Sequence, residues 1–64
     1  MKQLGFDILL EPGEDKPDEV ALRLAQENLS REIAKRGLVP VRGTDRIVTG
    51  KHRAWRRDVW CNEP

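Results

Sequence analysis

The sequence predicts a small α+β domain in which one central amphipathic helix packs on one face of a small, mostly antiparallel sheet. Three observations carry this. Residues 16–36 have both ends of a helix marked and an apolar stripe between them. Residues 3–10 alternate apolar and polar, the period of a half-buried strand. Residues 38–60 break into short runs rich in β-branched and aromatic residues, separated by Gly43 and Gly50. The expected order is β-α-β-β, with a further strand where residues 46–60 close into a hairpin, and a frayed tail over 61–64. A 64-residue chain with neither linker nor repeat is expected to form one domain.

In the first strand, Leu4, Phe6, Ile8 and Leu10 face one way, and Gln3, Gly5, Asp7 and Leu9 the other. Gly5 lies on the outer side, where a glycine marks a bulge or a close neighbour. Glu11-Pro12-Gly13-Glu14 is an acidic turn leading into the helix.

For the helix, Asp15 is the expected N-cap, because its carboxylate can accept from the free N–H groups of the first turn. Pro17 suits the first turn, where its missing donor is not needed. Gly37 is the expected left-handed stop, with Leu38 folding back as the hydrophobic cap contact. At 100° per residue, Leu22, Ala25, Leu29 and Ile33 share one stripe flanked by Ala21 and Gln26, the expected core face. Val20 and Leu24 lie together on the far side. They either pack under a loop or form a candidate protein interface, including that of a homodimer. Glu27–Arg31 and Glu32–Arg36 have i, i+4 spacing for surface ion pairs.

Beyond the helix, residues 38–42 read as a short strand whose Pro40 confines it to an edge. Gly43-Thr44-Asp45 reads as a turn and residues 46–49 as the next strand. A two-residue turn at Gly50-Lys51 then returns the chain through 52–60. In that register Val48 opposes Arg53 and Arg46 opposes Trp55. One hairpin face carries Arg46, Val48, Arg53, Trp55, Arg57 and Val59; the other carries Ile47, Thr49, His52, Ala54, Arg56 and Asp58. Trp60, beside Ala54 and Ile47, is the expected core tryptophan. A slip of one residue would exchange the faces.

Charge is unevenly distributed. Residues 1–41 hold six Lys/Arg against eight Asp/Glu, residues 42–57 hold six Lys/Arg against Asp45 alone, and residues 58–64 add Asp58 and Glu63. The stretch 42–57 is thus a local basic arm on a chain of net charge +1. Arg46, Arg53 and Arg57 around Trp55 offer planar donors for phosphate oxygens beside a ring on which a base can stack, with Arg42, Lys51 and Arg56 as supporting charge. Arginine and tryptophan are equally the residues that anchor protein interfaces. The bland alternative is that Val48, Trp55 and Val59 are core, with arginines at its rim.

Chemistry elsewhere is sparse. His52 and Cys61 are single copies with no recognised metal spacing, and Ser30 has no base within helical reach. Gly43 and Gly50 are isolated, so no phosphate-cradling loop exists. Neither a catalytic group, a metal nor a cofactor is expected. A single cysteine excludes an internal disulfide and points to a reducing compartment. Without a membrane-length apolar run or a signal-peptide core, the expected location is cytoplasmic. The leading expectation is a small nucleic-acid-binding accessory protein with weak sequence preference. The rival is an adaptor or inhibitor that docks the same arm, or Val20 and Leu24, on an acidic or otherwise fitting protein partner.

Overall fold

A computed structural model describes all residues, 1–64. Its elements are β1 (Lys2–Leu9), α1 (Glu19–Lys35), β2 (Val39–Val48) and β3 (Ala54–Asn62). The three strands form one antiparallel sheet in the order β1-β3-β2, so β3, last in the chain, is central. The architecture is the small α+β domain expected, with one helix on one side of the sheet.

Alternation in β1 holds. Leu4, Phe6 and Ile8 are half-buried beneath the helix, Leu10 is buried, and Gln3, Gly5, Asp7 and Leu9 face out. The apolar stripe of α1 is also as expected. Leu29 and Ile33 are buried, and Ala21, Leu22, Ala25 and Gln26 half-buried. They meet Leu38, Val59 and Cys61 in a core of five buried residues, with Leu4 and Phe6 packed against it. No helix is long and apolar enough to cross a membrane.

The helix ends where the pattern said, but starts later. Gly37 adopts φ +70°, its N–H donating to Ala34 C=O, while Leu38 N–H donates to Ile33 C=O, both at 3.0 Å. This is the Schellman closure, and Leu38 joins Ile33 in the core as its apolar contact. At the other end the N-cap is Asp18, not Asp15: its Oδ2 accepts from Val20 and Ala21 N–H at 3.1 and 3.3 Å. Proline disfavours helical backbone in the residue before it, so Lys16 stays outside. Pro17 is buried just ahead of the cap, where an apolar residue fixes how the chain enters the helix.

The second half of the chain departs from expectation in three places. The turn anticipated at Gly43-Thr44-Asp45 does not form, and β2 runs straight through it for ten residues. A bulge between Pro40 and Arg42 accommodates the proline instead. Asp45 is kept in the strand because Arg57, directly opposite on β3, grips its carboxylate. The hairpin turns not at Gly50-Lys51 alone but through residues 49–53, with Val48 opposite Ala54 and Arg46 opposite Arg56. This is the one-residue slip, and it exchanges the faces of β2. Ile47 now lies beside Trp55 on the helix side, and Arg46 and Val48 lie on the other. The slipped register places Ile47 in one row with Trp55 and Ile8, and Asp45 against Arg57, which the unslipped one would not. Finally, the tail is shorter than expected. Cys61 is in β3 and is 0% exposed, a core residue rather than part of a frayed end.

Candidate functional site

Every second residue of β3 points to the same side, and this sorts the candidate residues in two. Trp55, Arg57, Val59 and Cys61 face the helix. Ala54, Arg56, Asp58 and Trp60 face the uncovered side, beside Gln3, Gly5, Asp7 and Leu9 of β1 and Arg42, Thr44, Arg46 and Val48 of β2. The seven residues of the expected basic patch are therefore not one surface. Arg42, Arg46 and Arg56 lie on the open face, Trp55 and Arg57 lie under or beside the helix, and Lys51 and Arg53 belong to the connecting loop.

Most of their charge is already engaged. Arg57 Nε and Nη2 donate to Asp45 Oδ1 and Oδ2 at 2.6 and 2.9 Å, and Nη1 donates to Gln26 Oε1 at 3.0 Å. Its guanidinium also lies 5.9 Å from the Phe6 ring centroid. The bidentate contact holds the Asp45 carboxyl below the ordinary carboxylate range, and Asp45 in turn raises Arg57. Arg53 reaches Asp15 at 3.8 Å. Trp55, expected to stack on a base, is half-buried between Ile8 and Ile47, with its Nε1 enclosed and without an acceptor. The core tryptophan is thus not Trp60, which faces out with the Arg42 guanidinium 4.7 Å above its ring.

The open face is built around a buried carboxylate. Asp58 is 2% exposed although nothing but side chains of its own sheet covers it. Arg56 Nε donates to its Oδ1 at 2.9 Å and Nη1 to Asp7 Oδ2 at 3.2 Å, while Arg46 stands 4.0 Å from Asp58 Oδ2. Burial alone would raise the Asp58 carboxyl. Contacts with Gln3 and Arg56 and the charge of Arg46 outweigh it, so the group is held below its ordinary value and stays ionised. Its two carboxylate neighbours together raise Arg56.

Gly5 makes this arrangement fit. A Cβ there would stand 2.6 Å from the Arg57 carbonyl oxygen, 2.6 Å from Asp58 Oδ1 and 2.8 Å from Arg56 Nη2. Any side chain would displace the ion pair from the sheet. The outward glycine of the first strand marks a close neighbour, as one of its two readings held.

Around this charged middle the face is apolar at both ends. Met1, Val41, Arg42 and Trp60 line a hollow at one end, with Val39 close by on β2. Leu9, Ala54 and Val48 lie abreast at the other, Leu9 being 71% exposed. The second candidate patch is simpler. Val20 and Leu24 are 51% and 53% exposed on the side of α1 turned away from the sheet, and no loop covers them. Of the anticipated helix pairs, Glu32–Arg36 forms at 2.9 Å, whereas Arg31 bonds to Asn28 rather than Glu27.

No three His, Cys, Asp or Glu side chains come together as a metal site. A hollow of about 530 Å³ is an open groove between β1 and α1 lined by Leu4, Phe6, Ala25 and Leu29 with Asn28 and Glu32. Compared with protein-family models, curated proteins and solved structures, the chain matches none.

The open-face site was only partly legible beforehand. Its polar members were visible as an alternating Arg56-x-Asp58-x-Trp60 run. Nothing local linked them to Asp7 and Gly5, which arrive from β1 some fifty residues earlier.

Proposed function

We propose that this chain is a non-enzymatic protein-binding module whose docking surface is the open face of the sheet. One observation carries the reading. Two of the expected phosphate-side arginines are spent inside the domain: Arg57 on Asp45 and Gln26, and Arg56, expected as supporting charge, on Asp58 and Asp7. What the face leaves unsatisfied is apolar surface, at Met1, Val39 and Val41 on one end and Leu9 and Val48 on the other. On such a face the charges can orient a partner while the apolar ends supply affinity on burial. A core of five buried residues also supplies little stability of its own, which favours a domain that is completed by something else.

A second reading keeps nucleic acid as the partner. It rests on Arg42 over Trp60, an outward ring and guanidinium on an antiparallel sheet, the combination on which single-stranded bases stack. Arg46 and Lys51 would add phosphate contacts, and a steep loss of affinity with salt would accompany them.

The two readings and the two patches separate in one experiment. A photo-crosslinking residue replaces Val41 on the open face or Leu24 on the helix. Irradiation in cells of the natural source is expected to give discrete protein adducts from position 41 and none from position 24. Adducts to nucleic acid from position 41 would move the assignment to the second reading. Protein adducts from position 24 alone would transfer the site to Val20 and Leu24, and no adduct from either would end both proposals.

A further inference from the structure

We infer that β2 offers its free edge to an acidic, extended segment of a partner protein, which adds to the sheet as a fourth strand. The inference does not rest on the open face being a docking surface, because main-chain groups at the edge of the sheet do the holding.

The hydrogen-bonding phase of the sheet identifies those groups. Leu10 N–H donates to the C=O of Arg53, its partner across the sheet, at 3.0 Å. Alternate pairs from there are bonded in the same way, namely Ile8–Trp55, Phe6–Arg57 and Leu4–Val59. The main chain of Ala54, Arg56, Asp58 and Trp60 therefore turns the other way, to Val48, Arg46, Thr44 and Arg42 of β2. That leaves the N–H and C=O of Gly43, Asp45 and Ile47 pointing outward, where the sheet has no further strand. Pro40 and the bulge before Arg42 spoil pairing at one end, but residues 42–48 run in unbroken register with β3.

The other edge is β1, and charge separates the two. Lys2 and Asp7 of β1 are both paired, with Glu63 at 3.7 Å and Arg56 at 3.2 Å. On β2, Arg42 lies over Trp60 without an ion pair, and Arg46, 65% exposed, has only Asp58 at 4.0 Å. These two guanidiniums belong to the same side of β2, four residues or about 13 Å apart. Carboxylates four residues apart on an added strand fall opposite both.

The helix side of the sheet leaves room for the same strand. There α1 packs chiefly on β1, and a hollow of about 400 Å³ opens beside β2 between Gln26, Pro40, Val41 and Gly43. The atoms nearest to a Cβ placed on Gly43 are the Asp58 carbonyl oxygen at 3.8 Å and Val59 Cγ2 at 3.9 Å, so the sheet is bare at that point. A large apolar side chain opposite Gly43 covers it, and one opposite Ile47 extends an apolar row. The segment that fits is acidic toward the open face and apolar toward the helix.

The probe is the peptide acetyl-Thr-Val-Glu-Thr-Thr-Phe-Glu-amide. Laid antiparallel, it sets Val opposite Ile47, Phe opposite Gly43 and its two Glu opposite Arg46 and Arg42. Amide NMR spectra of the chain are followed with peptide up to about 5 mM, and a Kd of about 1 mM or below is expected. The amides of Gly43, Asp45 and Ile47 should gain protection from hydrogen exchange, whereas those of Thr44 and Arg46, already bonded to β3, should not. N-methylation of the Phe, whose N–H faces β2, should weaken binding at least about tenfold. N-methylation of the preceding Thr, whose N–H faces away, should change it less than about threefold. Exchanging both Glu for Lys should weaken binding about tenfold, and Arg42→Ala about threefold. No binding at about 5 mM, equal effects of the two N-methyl groups, or indifference to the Lys exchange overturns the inference. Shifts confined to β1 overturn it by moving strand addition to the other edge. Protection of residues 43, 45 and 47 that grows with the concentration of the chain alone overturns it in favour of a second copy.

Discussion

The two faces of the sheet use the same materials to opposite ends. Each carries a tryptophan and an arginine paired with aspartate, the tryptophan and arginine contributed alternately by β3, and each has aliphatic side chains beside them. On the helix side, Trp55 is half-buried with its indole nitrogen enclosed, Arg57 clamps Asp45 at the rim, and Val59 and Cys61 complete the core. On the other side, Trp60 lies beneath Arg42, Arg56 clamps Asp58 at the centre, and the aliphatic residues are left uncovered. The difference teaches where an ion pair matters. Asp45 sits at an edge that water reaches, whereas Asp58 is buried and depends on its partners to remain charged.

The strongest way to break the contrast is to remove core from the helix side. Ile33→Ala or Leu29→Ala is expected to cost about 2–5 kcal/mol, comparable with the whole stability of a domain this small. Thermal denaturation followed at 222 nm should lose its cooperative transition. A normal melt would mean that the open face, and not the helix, holds the fold.

Gly5→Ala tests the other side. Its Cβ would meet the Arg57 carbonyl and the Asp58 carboxylate at 2.6 Å, and backbone cannot swing away as a flexible side chain can. A loss of about 2 kcal/mol in urea unfolding is expected. A change below about 0.5 kcal/mol would show that the close approach is not maintained in solution.

Acid sharpens the comparison. Asp45 and Asp58 both have folded-state pKa values below the ordinary carboxylate value, so their contribution is complete above about pH 4 and is lost as pH falls through the depressed values. Stability should therefore fall below about pH 4, and Asp58→Asn should flatten that slope more than Asp45→Asn, because the Asp45 carboxylate is open to water and that of Asp58 is buried. Equal flattening by both variants would put the two pairs on the same footing.

Arg42→Ala should be the mildest change, within about 1 kcal/mol, since a guanidinium over a ring that faces solvent and is only half-buried contributes little. It should still shift Trp60 emission, read in a Trp55→Phe background. An unchanged spectrum would detach the guanidinium from the ring.

How much of this was legible depends on the range of the interaction responsible. The helix stop at Gly37-Leu38, the alternation of β1 and the stripe from Leu22 to Ile33 are local patterns of spacing and backbone preference, and they appear in the structure as read. The start of α1 erred by one cap because two aspartates, Asp15 and Asp18, compete on either side of Pro17, and the proline decides between them.

The hairpin misled for a different reason. Glycine at 43 and 50 signals turns, and local preference alone would place them there. Asp45 is instead drawn into β2 by Arg57, and Ile47 into the row of Trp55 and Ile8, neighbours that exist only once β3 lies between the other two strands. The same holds for the candidate site, whose charges looked free until Asp7, Asp45 and Asp58 were brought against them. The sequence by itself determined the helix, its core face and the existence of a sheet, because these depend on periodicity and capping within a few residues. Only the tertiary structure decided the strand register, which tryptophan faces the helix and which arginines are neutralised, because a side chain's neighbours across a sheet come from distant parts of the chain and a one-residue slip reverses them.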